Sequence, residues 1–268
     1  MRYLTSLGAS LLLASCSSLP VPGPSTLAIS KSEQVASAAI LKDAATIQGD
    51  PWKKYRRVEV AYFGTWSTLA TKLQPILTDP DFRKSSVEVY QPRQRQVSQV
   101  HSGPAGSKLV NRKNQFTRVA FNGTPTQDSD VTAAAALVAD AYTIFLFGPS
   151  WLSANARDLH RLSDRTLDQE TCHLIAGRLS PGIGSLTEDH FIAWIGKTSG
   201  LMKRFQFSLN GVESTRGADV DVTFSEHWKA KDGSIWPGHF IEYIQRPILT
   251  KAHDWRLTAL TLDGKKLK

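Results

Sequence analysis

Apolar positions two residues apart mark most of this chain as strand. Val58, Val60 and Tyr62 face one way against Glu59, Ala61 and Phe63, and the run ends at Trp66. A second alternation continues from Val87, Val89 and Gln91 through Arg93, Arg95 and Val97, and a third sets Phe116, Arg118 and Ala120 against Thr117, Val119 and Phe121. Ser102-Gly103-Pro104 and Lys113-Asn114 supply the turns. In the C-terminal half Phe191, Ala193 and Ile195 alternate with Ile192 and Trp194, residues 196–200 turn the chain, and Leu201, Lys203, Phe205, Phe207 and Leu209 oppose Met202, Arg204, Gln206 and Ser208. That spacing predicts a hairpin. Val220, Val222 and Phe224 lead to a turn at Asp232-Gly233, a return strand with Trp236, His239, Ile241 and Tyr243, and a last strand through Trp255, Leu257 and Ala259. Between Trp66 and Ser86, Pro75 and Pro80 interrupt any helix and leave the segment ambiguous.

Two stretches break the alternation with a helical period. Ser30-Lys31-Ser32-Glu33 has the form of a capping box, and Val35, Ala38, Ala39, Ile40, Leu41 and Ala45 follow on one face until Gly49-Asp50-Pro51 stops the helix. The second runs from Asp130 to Leu152 and is the most apolar run outside the N-terminus. Ser129 or Asp130 caps it, the alanines from Ala133 to Ala136 favour helix, and Gly148-Pro149 ends it after about four or five turns. Its length invites a transmembrane reading. Asp140 stands in its middle, however, where a charge costs about 2.5–3.5 kcal/mol on insertion scales, so a helix buried inside the protein is expected. Many antiparallel strands with two interrupting helices predict an α+β fold, a single curved antiparallel sheet with helices on its concave face.

Composition changes this picture little. The 268 residues and 41% apolar content suit one domain with a sizeable core, and no repeat or low-complexity tract argues for a second. Lys and Arg exceed Asp and Glu by 32 to 24, a net +8 scattered without a stripe or motif, so no nucleic-acid partner is expected. The spread charge reads first as a solvated positive surface, and it fits an anionic membrane surface better than nucleic acid.

The N-terminus is more specific. Met1 and Arg2 precede a short apolar run from Leu4 to Leu13, and Leu13-Ala14-Ser15-Cys16 follows directly, too short together to span a bilayer permanently. This resembles a bacterial lipoprotein signal with its lipobox. The resemblance implies that residues 1–15 are removed and that Cys16 is acylated, a modification that would anchor the chain stably. Ser17 follows where inner-membrane retention often uses Asp, so the implied place is the bacterial cell envelope, at the periplasm-facing side of the outer membrane. Residues 16–29, rich in Ser, Pro and Gly, read as a lipidated end and flexible tether ahead of a domain over 30–268.

Little points to catalysis or to a cofactor. With Cys16 acylated, Cys172 has no disulfide partner and fits a small buried side chain; His173 beside it faces the other way on a strand. The seven histidines are dispersed, without the spacing of a metal site. Across a two-residue turn at Asp232-Gly233, His227 would face Gly238 and His239 would face Glu226, an ion pair rather than a metal pair. No G-x-S-x-G elbow occurs, and Ser180-Pro181-Gly182-Ile183-Gly184-Ser185 lacks the rest of a dinucleotide loop. The expectation is a protein that is not an enzyme and holds neither metal nor cofactor.

Taken together, the helix ending near a Gly and a Trp, the strand run, the interrupting helix and the pattern from Asp189 through Gly211 and from Asp219 to Phe240 resemble the LolA/LolB-like group of lipoprotein-sorting proteins, over about residues 30 to 260. The resemblance implies an incomplete β-barrel of about eleven strands with helices covering its concave face. It also implies an apolar groove for an amphiphile or acyl chains, with the Asp130 helix as lid or plug. Candidate groove residues are Trp66, Tyr142, Phe145, Trp151, Trp194, Phe205, Phe207 and Trp228. The competing expectation is a structural lipoprotein whose core is filled by its own side chains and whose surface meets an envelope protein partner.

Overall fold

A computed structural model describes residues 19–184, 186–210, 217–246 and 249–267. Cys16 and residues 1–15, expected as a signal segment, lie outside the described residues.

The strands form one antiparallel sheet of 14 members that does not close. Its first half is a meander: β1 (Val58–Trp66), β2 (Ser85–Gln91), β3 (Gln96–Gly103), β4 (Gly106–Lys113), β5 (Phe116–Phe121) and β6 (Thr124–Pro125). Its second half is another, with β7 (Ala156–Leu167), β8 (Glu170–Leu179), β9 (Asp189–Gly196), β10 (Met202–Leu209) and β11 (Ala218–Ser225). A small hairpin, β12 (Trp228–Lys229) and β13 (Ile235–Trp236), interrupts it before β14 (His239–Arg246) and β15 (Thr250–Leu262), with β16 (Lys265–Lys266) folded back on β15. Pairing of β1 with β15 joins the halves, leaving β6 and β7 as opposite edges. The strands expected from alternation are present in an incomplete barrel, with more of them than the eleven implied.

The stretch expected as one run from Val87 to Val97 is corrected. Pro92 starts a tight turn that closes at Arg95, whose φ of 48° is left-handed, so β2 and β3 are a hairpin. Alternation continues across the turn in the sequence because Arg93 and Arg95 happen to keep the period. Burial in β2 is also inverted. Val87 lies outward and is 53% exposed, whereas Ser86, Glu88 and Tyr90 point inward and are buried. Gln99, His101, Lys108 and Arg112 continue this polar inner surface on β3 and β4. The inner surface of β9 to β11 is apolar instead, with Phe191, Phe205, Phe207, Val222 and Phe224.

Helix α1 (Lys31–Gln48) starts as expected, Ser30 Oγ accepting from the Glu33 N–H at 3.1 Å, and ends at Gly49 with φ 89°. A short α2 (Pro51–Lys54) follows. The ambiguous segment holds α3 (Thr68–Leu73) and α4 (Pro75–Thr78), since a proline is tolerated at the first position of a helix. Helix α5 (Ser129–Asn155) is the apolar run, capped by Asp128 rather than by either residue expected, because the Asp128 Oδ1 accepts from both the Asp130 and Val131 N–H groups. It carries on past Gly148-Pro149: Gly148, at φ 47° and ψ −127°, kinks the helix, and Pro149 begins the last turns. Such a backbone conformation is open to glycine and strained for other residues.

Helix α5 meets the length and composition of a membrane span, but 78% of its apolar window is buried within the protein. It follows β6 at one edge of the sheet, crosses the concave face and hands over to β7 at the other. Tyr142, Ile144, Phe145, Leu146 and Phe147, each at most 3% exposed, fill that face. The segment expected as a free tether also touches the domain at its start. Leu19 packs on the outer face of β8 and β9, and the Gln206 Nε2 donates to the Pro20 carbonyl at 3.1 Å.

Candidate functional site

Because α5 fills most of the concavity, space remains only beside it. A cavity of about 290 Å³ lies between the C-terminal half of α5, the β2–β3 turn and the loop of residues 180–183. Trp52, Tyr90, Val97, Ile144, Trp151 and Ile183 supply its apolar wall. Trp52 packs edge-on against Phe147 and Trp151, with ring centroids 5.1 and 6.4 Å away, and its backbone N–H donates to the Ser150 Oγ at 3.0 Å.

Deep on one side of the cavity sits an ion pair. Arg112 donates through Nε to Asp140 Oδ1 at 2.7 Å and through Nη2 to Oδ2 at 2.6 Å. Its other N–H groups reach the Gly184 and Gln115 carbonyls and the Thr117 hydroxyl. The Gly184 N–H returns a bond to Asp140 at 2.9 Å. All five guanidinium donors are therefore used, which is what a buried charge requires. Burial raises the Asp140 carboxyl while Arg112 and the Gly184 N–H pull it back. Arg95 and Arg157 stand exposed at the rim, Arg95 Nη2 reaching Asn155 Oδ1 at 3.4 Å. With Asp140 paired to Arg112, these two give the mouth a positive potential over an interior with one apolar wall.

Asp189 holds the loop that closes this cavity, accepting from the Ile183 N–H at 2.8 Å. Burial pushes its carboxyl up to about 6, the Ile183 bond opposing that rise. With its folded value above the unfolded one, this group's contribution to stability is fully present below the unfolded value of 3.8 and is lost as pH rises through about 6. Asp189→Asn is therefore expected to make the fall in denaturant midpoint between about pH 4 and 6.5 shallower. It does not abolish the fall, because burial also lifts Asp221 to about 6. An unchanged slope would remove Asp189 from the account.

The residues expected to share one groove are not all together. Trp151 lines the cavity just described. Trp66, Tyr142 and Phe207 line a separate narrow cleft of about 40 Å³, on another face of α5 and beneath α3 and α4. Phe145 and Phe205 are core residues, their rings 6.5 Å apart. Trp228 is half-buried on the β12–β13 hairpin, paired across it with Trp236 and packed against the core. Trp194 is corrected: it lies on the outer face of β9, donating to the Gln206 Oε1 at 2.6 Å in a cluster with Cys172, Leu174 and Ile192. Parity is the reason, since Phe191, Ala193 and Ile195 take the inner face and a residue an odd number of positions away points outward.

Sequence reasoning missed Arg112, Arg95, Arg157 and Arg83 as site residues, the last in the ambiguous segment. A further hollow of about 380 Å³ lies on the outer face, walled by residues of the N-terminal segment together with Leu162, Ala176 and Ile192.

Among the described residues no group of three or more His, Cys, Asp and Glu is placed to hold a metal. Cys172 is buried at the outer face, as a small hydrophobe would be. The β12–β13 register pairs Trp228 with Trp236, one residue away from the expected two-residue turn, and His239 lies opposite Ser225. His239 Nδ1 is 3.1 Å from Ser225 Oγ and 3.6 Å from Glu226, and Nε2 is 2.6 Å from Asp254. A Ser–His–Asp line thus exists between β11, β14 and β15, but Ser225 is exposed and belongs to none of the hollows above.

No family model matches the sequence, and no curated protein matches it. Solved structures do match the fold. A LolA superfamily protein from Nitrosomonas europaea superposes with a TM-score of 0.53 at 12% identity, covering 84% of this chain and 93% of that one. A DUF1329 family protein from Desulfovibrio piger superposes with a TM-score of 0.55 at 12% identity, covering 86% and 93%. At this identity the likeness speaks for the fold alone.

Proposed function

With a LolA-like fold as its frame, we propose that this chain is a binding protein for a single-chain amphiphile with an anionic head, held beside α5 and released unchanged. The observation that carries this is the cavity of about 290 Å³, with an apolar wall of Trp52, Tyr90, Val97, Ile144, Trp151 and Ile183, the Arg112–Asp140 pair on its other side, and Arg95 and Arg157 at the rim. Its size sits at the low end for ligand cavities. At about 30 Å³ per methylene, close to the liquid volume of a water molecule, it accepts one chain of about eight to ten carbons. The three acyl chains of a mature lipoprotein do not fit while α5 stays in place.

The test is a titration with decyl phosphate. Ala154 lines the cavity from the exposed last turn of α5, so Ala154→Trp should fold normally and block it. Affinity is expected to drop at least about tenfold, with mass spectrometry returning the ligand intact from the wild-type complex. Undiminished affinity in Ala154→Trp would sink the cavity as the site. Hydrolysis of the ligand would transfer attention to Ser225, His239 and Asp254.

The acylated Cys16 that the sequence implies would place the protein at the outer membrane, where amphiphiles are abundant. Cys16→Ala is expected to shift it from the membrane fraction to the soluble periplasmic fraction. A distribution that stays unchanged would reject the lipobox.

A second reading, an interaction protein with a filled core, is favoured by the packing of α5 itself. It predicts no saturable amphiphile binding in the wild type.

A further inference from the structure

The cleft on the other face of α5 contains the most unusual side chain of the molecule. Arg83 is 1% exposed, yet its Nε and Nη2 make no hydrogen bond, and its Nη1 reaches the Leu77 carbonyl only at 3.4 Å. Three aromatic rings surround it, Tyr142 at 4.5 Å, Trp66 at 5.1 Å and Trp255 at 5.3 Å from the guanidinium carbon. Cation–π attraction offsets part of the desolvation of the charge, but it leaves the in-plane N–H groups without acceptors. A buried, unpaired donor on a charged group is costly, and proteins keep such groups where something arrives to meet them.

The neighbouring charges do not meet them. Glu88 is buried nearby, but one oxygen accepts from Ser86 at 2.9 Å and the other from the Tyr90 hydroxyl. Glu242 is engaged with His253 at 2.9 Å, and Asp79 with Lys108. His101 is buried on the inner face of β3, and desolvation together with Arg83 and Lys108 holds it neutral. Among the described residues no carboxylate bonds the Arg83 Nε or Nη2, although a guanidinium fork matches an anion with two acceptor oxygens in a plane.

The rest of the lining specifies what the anion is attached to. Leu137, Val138, Phe207, Leu209, Ile244 and Ala252 make most of the wall beyond Arg83 apolar, with Gln74, Thr78 and the Glu242–His253 pair as its polar part. Helix α3 covers its mouth and is weakly held. Ala70 docks with Ile244 and Ala252 in a three-residue cluster separate from the main core, while Leu69 and Leu73 remain 42% and 55% exposed. At about 40 Å³ the closed cleft admits a group of carboxylate size, and a tail needs α3 to lift. The small docking cluster makes that the cheapest opening on this side of α5.

We propose that Arg83 is the anchor of a second binding site, which takes the carboxylate of a fatty acid whose alkyl tail lies under α3. It occupies a different face of α5 from the cavity of about 290 Å³ and does not depend on that cavity being used.

Dodecanoate, dodecan-1-ol and acetate separate the elements of this site. Followed by the fluorescence of Trp66 and Trp255, dodecanoate is expected to bind the wild-type protein at least about tenfold more tightly than the alcohol, since a charge-assisted fork is lost in the alcohol. Acetate at the same concentration is not expected to compete. Arg83→Met keeps most of the stem volume and should reduce dodecanoate to the alcohol's affinity, whereas Ala154→Trp in the other cavity should leave it unchanged. If Arg83→Met does not fold, the difference between acid and alcohol measured in Ala154→Trp, where the cavity rimmed by Arg95 and Arg157 is blocked, decides. Equal affinity for acid and alcohol overturns the proposal, as does competition by acetate. Loss of dodecanoate binding in Ala154→Trp overturns it too, while leaving the amphiphile cavity standing.

Discussion

Arg112→Met is expected to destabilise the folded chain by about 3–5 kcal/mol, and adding Asp140→Leu to recover most of that loss. The single change leaves the Asp140 carboxylate in the middle of an apolar helix with one backbone N–H, from Gly184, for company. It also strips the Gly184 carbonyl and the Thr117 hydroxyl of their donor. The double change removes the charge that needed a partner; the two backbone groups of Gly184 lose their partners, and the Gln115 carbonyl and Thr117 hydroxyl, which are not buried, lose the Arg112 donor to water. Urea unfolding of the four proteins in the cycle measures this. Additive single effects, with no coupling of about 2 kcal/mol or more, would show that the pair is not the unit described. The outcome matters for the site because the same guanidinium ties β4, α5 and the loop of residues 180–184 around the cavity of about 290 Å³. Its loss should loosen three walls at once.

How far the chain can be read without coordinates depends on which local signal is in conflict. Period-two alternation locates most strands, because one side of each meets the core, and the Ser30 capping box fixes the start of α1. Asp140 is enough to turn α5 from a membrane span into an internal helix, though not to name its partner. Arg112 comes 28 residues earlier on a strand whose neighbours are lysines and asparagines, and nothing local marks it as buried. The same holds for Arg83, placed by two prolines in a segment with no clear period. The inward-facing Ser86, Glu88 and Tyr90 run against the rule that apolar residues face in, so pattern alone points the wrong way there. Trp194 differs from these: its outward position is implicit in the parity of Phe191, Ala193 and Ile195. Treating every aromatic residue as groove lining ignores its face, and the outer face buries this one beneath Leu19. Long-range pairing of charges and use of both faces of the sheet are the elements that periodicity does not encode.

Phe145→Ala is expected to cost about 3–5 kcal/mol, the range for truncating a fully packed aromatic, and it decides whether α5 is a lid at all. The ring meets Tyr142, Phe205, Phe207, Phe224 and Phe240 at centroid distances of 5.5–6.5 Å and is 2% exposed. By contrast Leu69→Ala, on the exposed side of α3, should stay within about 0.5 kcal/mol. Burying a large apolar side chain is worth about 1.5–3 kcal/mol, so withdrawing Tyr142, Ile144, Phe145, Leu146 and Phe147 together forfeits about 8–15 kcal/mol. That equals the whole stability of a typical domain, about 5–15 kcal/mol. Swinging α5 out of the concavity is then hardly distinguishable from unfolding, which is why the proposed ligand sites lie beside the helix rather than in its place. Native-state hydrogen exchange tests this directly: the amides of residues 137–147 should exchange only through global unfolding, with the same free energy and denaturant dependence as the central strands β9 and β10. Exchange of those amides through a cheaper, sub-global opening would restore α5 as a plug that yields, and with it a cavity large enough for several acyl chains.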